Sequence, residues 1–341
     1  MVQRLTVEEF LSRSKGKTII DVRSPKEFAH AHIPGAISLP LFSDDERAEV
    51  GTAYKHQGRE AAMMIGLKYY GANMQRIISG IKEAGKPKEL YVHCWRGGMR
   101  SGVVSWMLDL FGYKVFTLEK GYKSFRHFIL AQFEKKYPFH ILGGRTGSAK
   151  TLVLHELKKK NQQTIDLEHI AKHKGSAFGA LGELPPPSQE MFENILANKL
   201  FELHQKNKSI WLEDESQRIG KVIIPTSFFQ WMRKSICYFL TIPFEQRLDF
   251  IVEGYGKLDT KSLVEATQRI QKRLGGLETK NAIQYIEQGA IKEAFSILLK
   301  YYDKWYEKNA QNQVLPKEKL IRVSSAVVDP FQNATLLEKM K

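Results

Sequence analysis

Short apolar runs recur along the chain at intervals that suit strands separated by helices. Lys17–Val22, Glu89–His93 and Tyr113–Leu118 each read as a buried strand, because nearly every position is apolar or β-branched. The stretches between them carry helical spacing, as in Ser101–Phe111, where Val104, Leu108 and Phe111 share one face. A second series begins at Phe139–Leu142 and continues through Thr164–Leu167, Ser209–Leu212 and Tyr238–Ile242. Strands alternating with helices predict parallel sheets covered on both faces, hence an α/β class for each half. Residues 261–308 read as helical throughout and are rich in Lys, Arg and Tyr. The expected division is a first domain over 1–130 and a second over 131–341, joined near residues 125–137.

The chain has 341 residues, of which 43% are hydrophobic, enough for two ordinary cores. No apolar run nears the ~20 residues needed to cross a bilayer. Met1–Ser14 lacks the apolar core of a signal peptide, so a cytoplasmic protein without a membrane partner is expected. Two cysteines, Cys94 and Cys237, are too few for a disulfide framework. Cys237 lies in the apolar run Ser235–Leu240 and reads as core filling. The net charge is +15, divided as +7 over residues 1–130 and +8 over the rest. A polyanion contacting both domains and a merely basic soluble surface both fit that spread.

Candidate chemistry sits in two loops. The first is His93-Cys94-Trp95-Arg96-Gly97-Gly98-Met99-Arg100-Ser101, after a strand and before a helix. A cysteine there faces backbone N–H groups and the positive end of a helix, which favours the nucleophilic thiolate. Gly97 and Gly98 permit tight curvature, and Arg96 and Arg100 bring charge to an anion-binding loop, with Arg100 able to clamp oxygens bidentately. The plain alternative is a buried strand-end cysteine beside an ordinary turn.

With Asp21-Val22-Arg23, Glu27-Phe28 and His32-Ile33-Pro34-Gly35-Ala36 upstream, residues 4–128 resemble the rhodanese superfamily. Asp21 and Arg23 then read as structural supports, and His32 as a loop-packing residue. Five residues separate Cys94 from Arg100, a spacing shared with cysteine phosphatases of that superfamily. A phosphatase or a sulfurtransferase acting on small molecules therefore stays open.

The second loop, Gly143-Gly144-Arg145-Thr146-Gly147-Ser148-Ala149-Lys150-Thr151, follows one strand and opens the helix Leu152–Lys159. This is the context of a P-loop. Gly144, Gly147, Ser148, Lys150 and Thr151 would bind phosphate, and Thr151 with Asp214 would hold Mg²⁺. Ala149 stands where a P-loop has its second glycine, and is strained if that position needs positive φ. Asp166 is a further candidate carboxylate. Of Glu213, Asp214 and Glu215, two are expected at the solvated surface. A nucleotide-driven switch with an incidental Cys94 is the rival from this loop.

A rhodanese-like domain joined to a P-loop domain resembles the bacterial tRNA 2-selenouridine synthase family. Glu49–Lys55, Gly175–Gly179 and Arg269–Gly276 extend the likeness over nearly the whole chain, and Ala149 is the departure. The resemblance implies a tRNA substrate bearing wobble 2-thiouridine, geranylated from geranyl diphosphate and then selenated from selenophosphate. It implies Cys94 as the selenium-carrying nucleophile, in selenopersulfide form. No tightly bound cofactor is implied beyond these co-substrates and Mg²⁺. The implied partners are the tRNA anticodon arm and the enzyme that produces selenophosphate. With selenophosphate already activated, the P-loop is expected to cradle the prenyl diphosphate.

For the RNA, Arg269, Lys272 and Arg273 fall at i, i+3 and i+4 and predict one basic helix face. Lys300-Tyr301-Tyr302 and Lys304-Trp305-Tyr306 interleave cations with aromatics suited to stacking on unpaired bases, unless those rings are core.

Overall fold

The computed structural model describes residues 2–85, 87–204, 208–312 and 319–340. They form two compact units, one of residues 1–132 with 193–198, the other of 133–192 with 199–341.

In the first unit the strands are β1 (Gln3–Leu5), β2 (Thr18–Asp21), β3 (Ala36–Ser38), β4 (Glu89–His93) and β5 (Lys114–Leu118). The helices are α1 (Val7–Arg13), α2 (Pro25–His30), α3 (Asp44–His56), α4 (Arg59–Glu83), α5 (Met99–Leu110) and α6 (Gly121–Gln132). The strands pair in parallel in the order β1-β5-β4-β2-β3. Ile20, Val22, Leu90, Val92, Val104 and Leu108 join Ile77 and Ile81 in one core, and burying each such side chain contributes roughly 1.5–3 kcal/mol. Capping boxes at Thr6 and Ser43 start α1 and α3 by satisfying N–H groups that those helices leave unpaired. One expected core residue is outside: Phe111 is 56% exposed, because α5 stops at Leu110 and the chain turns away at Gly112.

The second unit contains β6 (Phe139–Gly144), β7 (Gln163–Ile165), β8 (Ile210–Glu213), the short pair β9 (Arg218–Ile219) and β10 (Val222–Ile223), β11 (Ile236–Thr241) and β12 (Leu320–Ser324). Its helices are α7 (Lys150–Lys159), α8 (Leu167–Ala171), α9 (Gln189–His204), α10 (Thr226–Arg233), α11 (Phe244–Tyr255), α12 (Thr260–Arg269), α13 (Gln271–Leu274), α14 (Gly276–Glu287), α15 (Ile291–Asn312) and α16 (Pro330–Lys339). Residues 193–198 of α9 group with the first unit. The larger sheet is parallel, ordered β12-β11-β6-β8-β7, so the loops after β6 and β8 open side by side at its carboxyl edge. That edge is where ligands bind in open α/β sheets. The stretch read as helical, 261–308, resolves into α12 to α15 around Leu263, Ile270, Leu274 and Leu298. Cys237 is buried in β11, and burial pushes its thiol up to about 12, as core filling requires.

Candidate active site

Each unit ends a buried strand in a loop that opens a helix. In the first, β4 delivers Cys94 with 3% exposure, and Cys94 Sγ lies 3.2 Å from Ser101 Oγ on the first turn of α5. Backbone bonds from Tyr122 N to Cys94 O and Lys123 N to Trp95 O, 2.8 and 3.0 Å, tie the loop to the start of α6. Gly97 has φ +62, and a Cβ there would stand 2.8 Å from Leu118 O, so this position demands glycine. Gly98 does not: its φ is −104 and a Cβ would meet open space.

Arg96 is exposed on the loop. Arg100 does not return across it. Its Nη1 donates to Glu27 Oε2 at 2.7 Å and its Nη2 to Oε1 at 3.4 Å. Burial alone would raise the Glu27 carboxyl, and the Arg100 hydrogen bonds and charge reverse this and hold it below its ordinary value. The expected clamp is thus engaged by a carboxylate from α2.

Asp21 and Arg23 form a buried pair, with Nη2 to Oδ2 at 2.6 Å, and Arg23 also donates to Ala31 O at 2.7 Å beneath the Tyr122 ring. His93 is fully buried near this pair, Nε2 at 3.7 Å from Asp21 Oδ2, and burial lowers it from the ordinary imidazole value. The neutral ring therefore adds no charge beside Cys94. His32 stacks on Phe28 at 3.9 Å and places Nδ1 2.9 Å from Phe28 O, a packing role.

In the second unit the glycine-rich loop bends between β6 and α7. Ala149 is left-handed, φ +54 and ψ +33, so the position does need positive φ and the alanine is strained there by about 1–2 kcal/mol. A Cβ on Gly147 would meet Arg247 O at 2.8 Å, which fixes glycine at that turn. The Ser148 hydroxyl folds back onto Arg145 O at 2.5 Å. Arg247, fully buried on α11, donates to Thr146 O at 3.0 Å and bidentately to Asp303 of α15 at 2.9 and 2.6 Å, fastening the loop to the helical part.

Lys150 Nζ donates to Gly144 O at 3.2 Å. Burial works against its charge, and Tyr306, Glu215, Glu168 and Asp214 outweigh burial, so its proton is held more firmly than in water. Beside it Glu168 accepts the Thr151 hydroxyl at 2.6 Å. Glu215 is buried, and burial together with the Glu168 charge pushes its carboxyl up to about 8. Both carboxyls converge on Gly175, where a Cβ would meet Glu215 Oε2 at 2.9 Å and Glu168 Oε1 at 3.1 Å.

The expectation of two solvated residues among Glu213, Asp214 and Glu215 is wrong. Glu213 is fully buried and accepts from Leu167 N at 3.0 Å; burial first, then Asp166 and Glu168, push it well above the ordinary range. The Asp214 side chain is only 13% exposed and pairs with Arg233. Of the two residues expected to hold Mg²⁺, Asp214 pairs with Arg233 and Thr151 donates to Glu168. Among the described residues no group of three or more His, Cys, Asp or Glu is placed to hold a metal. Asp166 instead caps α8 through His169 N at 2.7 Å and pairs with His155. Glu168 went unread because short range shows only a charge after a strand; its one sequence signal is position, three residues past β7.

The basic face also differs from expectation. The helix ends at Arg269 and restarts as α13, closed by Gly275 at φ +103, so the three residues occupy two segments. Arg269, Lys272 and Arg273 are all exposed. The Arg273 guanidinium lies 5.3 Å over the Trp305 ring. Trp305 is exposed, whereas Tyr302 is structural, its hydroxyl accepting from Ala177 N at 3.2 Å.

A parallel sheet closing on a cysteine loop defines the first unit as rhodanese-like, and β6, the glycine loop and α7 give the second the architecture of a phosphate-binding α/β domain. The family descriptions agree: residues 6–127 match the rhodanese-like domain and 137–327 the tRNA 2-selenouridine synthase AAA domain. Similar proteins include the tRNA 2-selenouridine synthase of Sulfurovum sp. (strain NBC37-1), 33% identical over 84% of each chain, and that of Hydrogenovibrio crunogenus, 32% identical over 88% of this chain and 91% of the other. That of Nitrosomonas europaea is 38% identical over 70% of this chain, a match that spans 63% of the relative's own length. The chain belongs to the tRNA 2-selenouridine synthase family, a family of enzymes. No helix among the described residues is long and apolar enough to cross a membrane.

Proposed function

We propose that the chain converts wobble 2-thiouridine in tRNA to 2-selenouridine, by S-geranylation from geranyl diphosphate and then selenation from selenophosphate. The observation that carries this reading is one chain, of this family, holding both a buried strand-end cysteine and a glycine loop with a firmly protonated lysine. In the first step the base sulfur attacks the prenyl carbon; a C–S bond forms as the C–O bond to diphosphate breaks. Lys150 neutralises the charge that builds on the departing diphosphate. The alkylated sulfur then leaves as a thiolate, a far better leaving group than the unmodified sulfur.

Electron counting sets the part of Cys94. A selenopersulfide is two electrons more oxidised than a thiolate plus selenophosphate, and no oxidant enters the reaction. The balanced course is attack of the Cys94 thiolate on phosphorus: an S–P bond forms, the P–Se bond breaks, and hydroselenide is released. Hydroselenide displaces geranyl thiolate from the base, and water returns Cys94 with loss of phosphate. Cys94 thereby handles selenium through its phosphoryl group. The phosphate leaves a loop whose N–H groups head α5.

Cys94→Ser tests this. It is expected to abolish selenouridine while geranylated tRNA accumulates and tRNA binding stays within a few-fold. Mass spectrometry of wobble nucleosides reads both products. Normal selenouridine from the serine variant rules out a covalent role.

A further inference from the structure

We propose that Ser101 is a positioning residue for Cys94, its hydroxyl changing from acceptor of the thiol proton to donor toward the thiolate. Cys94 Sγ and Ser101 Oγ are 3.2 Å apart, and the same hydroxyl lies 3.3 Å from Gly98 O. Both side chains are buried, at 3% and 2% exposure, so water does not substitute for either bond. A hydroxyl has one proton and two lone pairs. While the sulfur is protonated, S–H points to Oγ and the serine proton goes to Gly98 O. Once the sulfur has lost its proton to solvent it can only accept. The hydroxyl then rotates to it, exchanging a weak neutral bond for a charge-assisted one.

No backbone motion is needed, because Ser101 sits on the first turn of α5 with its hydroxyl already between the two acceptors. The neighbouring cation does not make this contact, since Arg100 is bound by Glu27. His93, next to Cys94 on the other side, is held neutral by burial. Of these neighbouring side chains, the Ser101 hydroxyl is the one that touches the sulfur and is placed to hold it ionised and aimed, alongside the N–H groups that head α5. What this does for turnover rests on the nucleophilic role proposed for Cys94; the contact itself does not.

The test is alkylation of Cys94 by iodoacetamide in the full chain, followed by peptide mass spectrometry across pH. Cys237, with its thiol pushed up to about 12, serves as the unlabelled reference. Ser101→Ala is expected to slow Cys94 labelling about tenfold at pH 7, with rates converging at high pH. Ser101→Thr keeps a hydroxyl and should label like the parent chain. Circular dichroism checks folding, and Ser101→Gly replaces the alanine variant if that one unfolds. Unchanged labelling at pH 7 in a folded variant overturns the proposal. So does equal slowing at every pH, which reports altered access, or a threonine variant as slow as alanine. Selenouridine formed by Cys94→Ser would defeat the nucleophile assignment alone and leave this result intact.

Discussion

Thr151 donates its hydroxyl to Glu168 across 2.6 Å, and that bond ties the start of α7 to a carboxyl pair that the glycine loop alone does not announce. Burial first, and then the charge of Glu168 beside it, hold Glu215 protonated. Stability consequences follow from the sign of that shift. Glu215 in the folded chain titrates near 8, against an ordinary 4.5 when unfolded. Between those values the folded state binds the extra proton, so its stabilising effect is complete below about pH 4.5 and is lost as pH rises through 8.

Glu215→Gln should therefore flatten the pH dependence of stability. Its urea midpoint, relative to the parent chain, is expected to rise between pH 5 and pH 8.5. A constant difference across that window would mean that Glu215 ionises normally.

Ala149→Gly is expected to stabilise the second unit. Relief of the left-handed alanine returns about 1–2 kcal/mol, and the looser unfolded chain takes back about 0.4–1. The net is a gain of roughly 0.5–1 kcal/mol, readable as a higher denaturation midpoint. A lower midpoint would show that the methyl group, buried at 9% exposure, packs better than its backbone suffers.

Lys150→Ala should impair geranylation more than selenation. The two half-reactions are separated by supplying either thiolated tRNA with geranyl diphosphate or pre-geranylated tRNA with selenophosphate. Removing the half-buried cation proposed to face the leaving diphosphate should cost the first about 10²–10³-fold. Equal losses, or loss of selenation alone, would move the lysine loop to the other step.

Arg269→Glu with Arg273→Glu should weaken tRNA binding and flatten its salt dependence. Each lost phosphate contact lowers the slope of log K against log salt by roughly 0.7–0.9, so two lower it by about 1.4–1.8. Circular dichroism must show a folded variant, since Arg273 also rests on Trp305. A folded variant with parental affinity and slope would place the RNA elsewhere, and Lys158–Lys160 is the next surface to test.

The sequence by itself determined the strands β2, β4, β5, β6, β7, β8 and β11, the order of the two units and the two loops, while the short or edge strands β1, β3, β9, β10 and β12 carried too little pattern to be read. Continuous apolar runs such as Glu89–His93, and Lys150 or Cys94 placed between a strand and a helix, are short-range signals that survive any packing. The need for positive φ at position 149 could be posed from sequence as a question, and only the backbone answered it.

Tertiary structure decided which charges meet. Glu27 precedes Arg100 by 73 residues and Arg247 precedes Asp303 by 56, separations over which no periodic pattern operates. Two of Glu213, Asp214 and Glu215 read as solvated because local pattern does not say which of three adjacent carboxylates points inward. Glu213 and Glu215 are instead buried and Asp214 half-buried, because β8 runs beside β6, carrying them to the lysine loop, Leu167 N and Arg233. The basic segment broke at Ile270 because burying Ile270 and Leu274 in one core mattered more than prolonging the helix that carries Arg269. Local spacing fixes what a segment can form; burial and charge pairing across the fold fix which of its side chains remain available for chemistry.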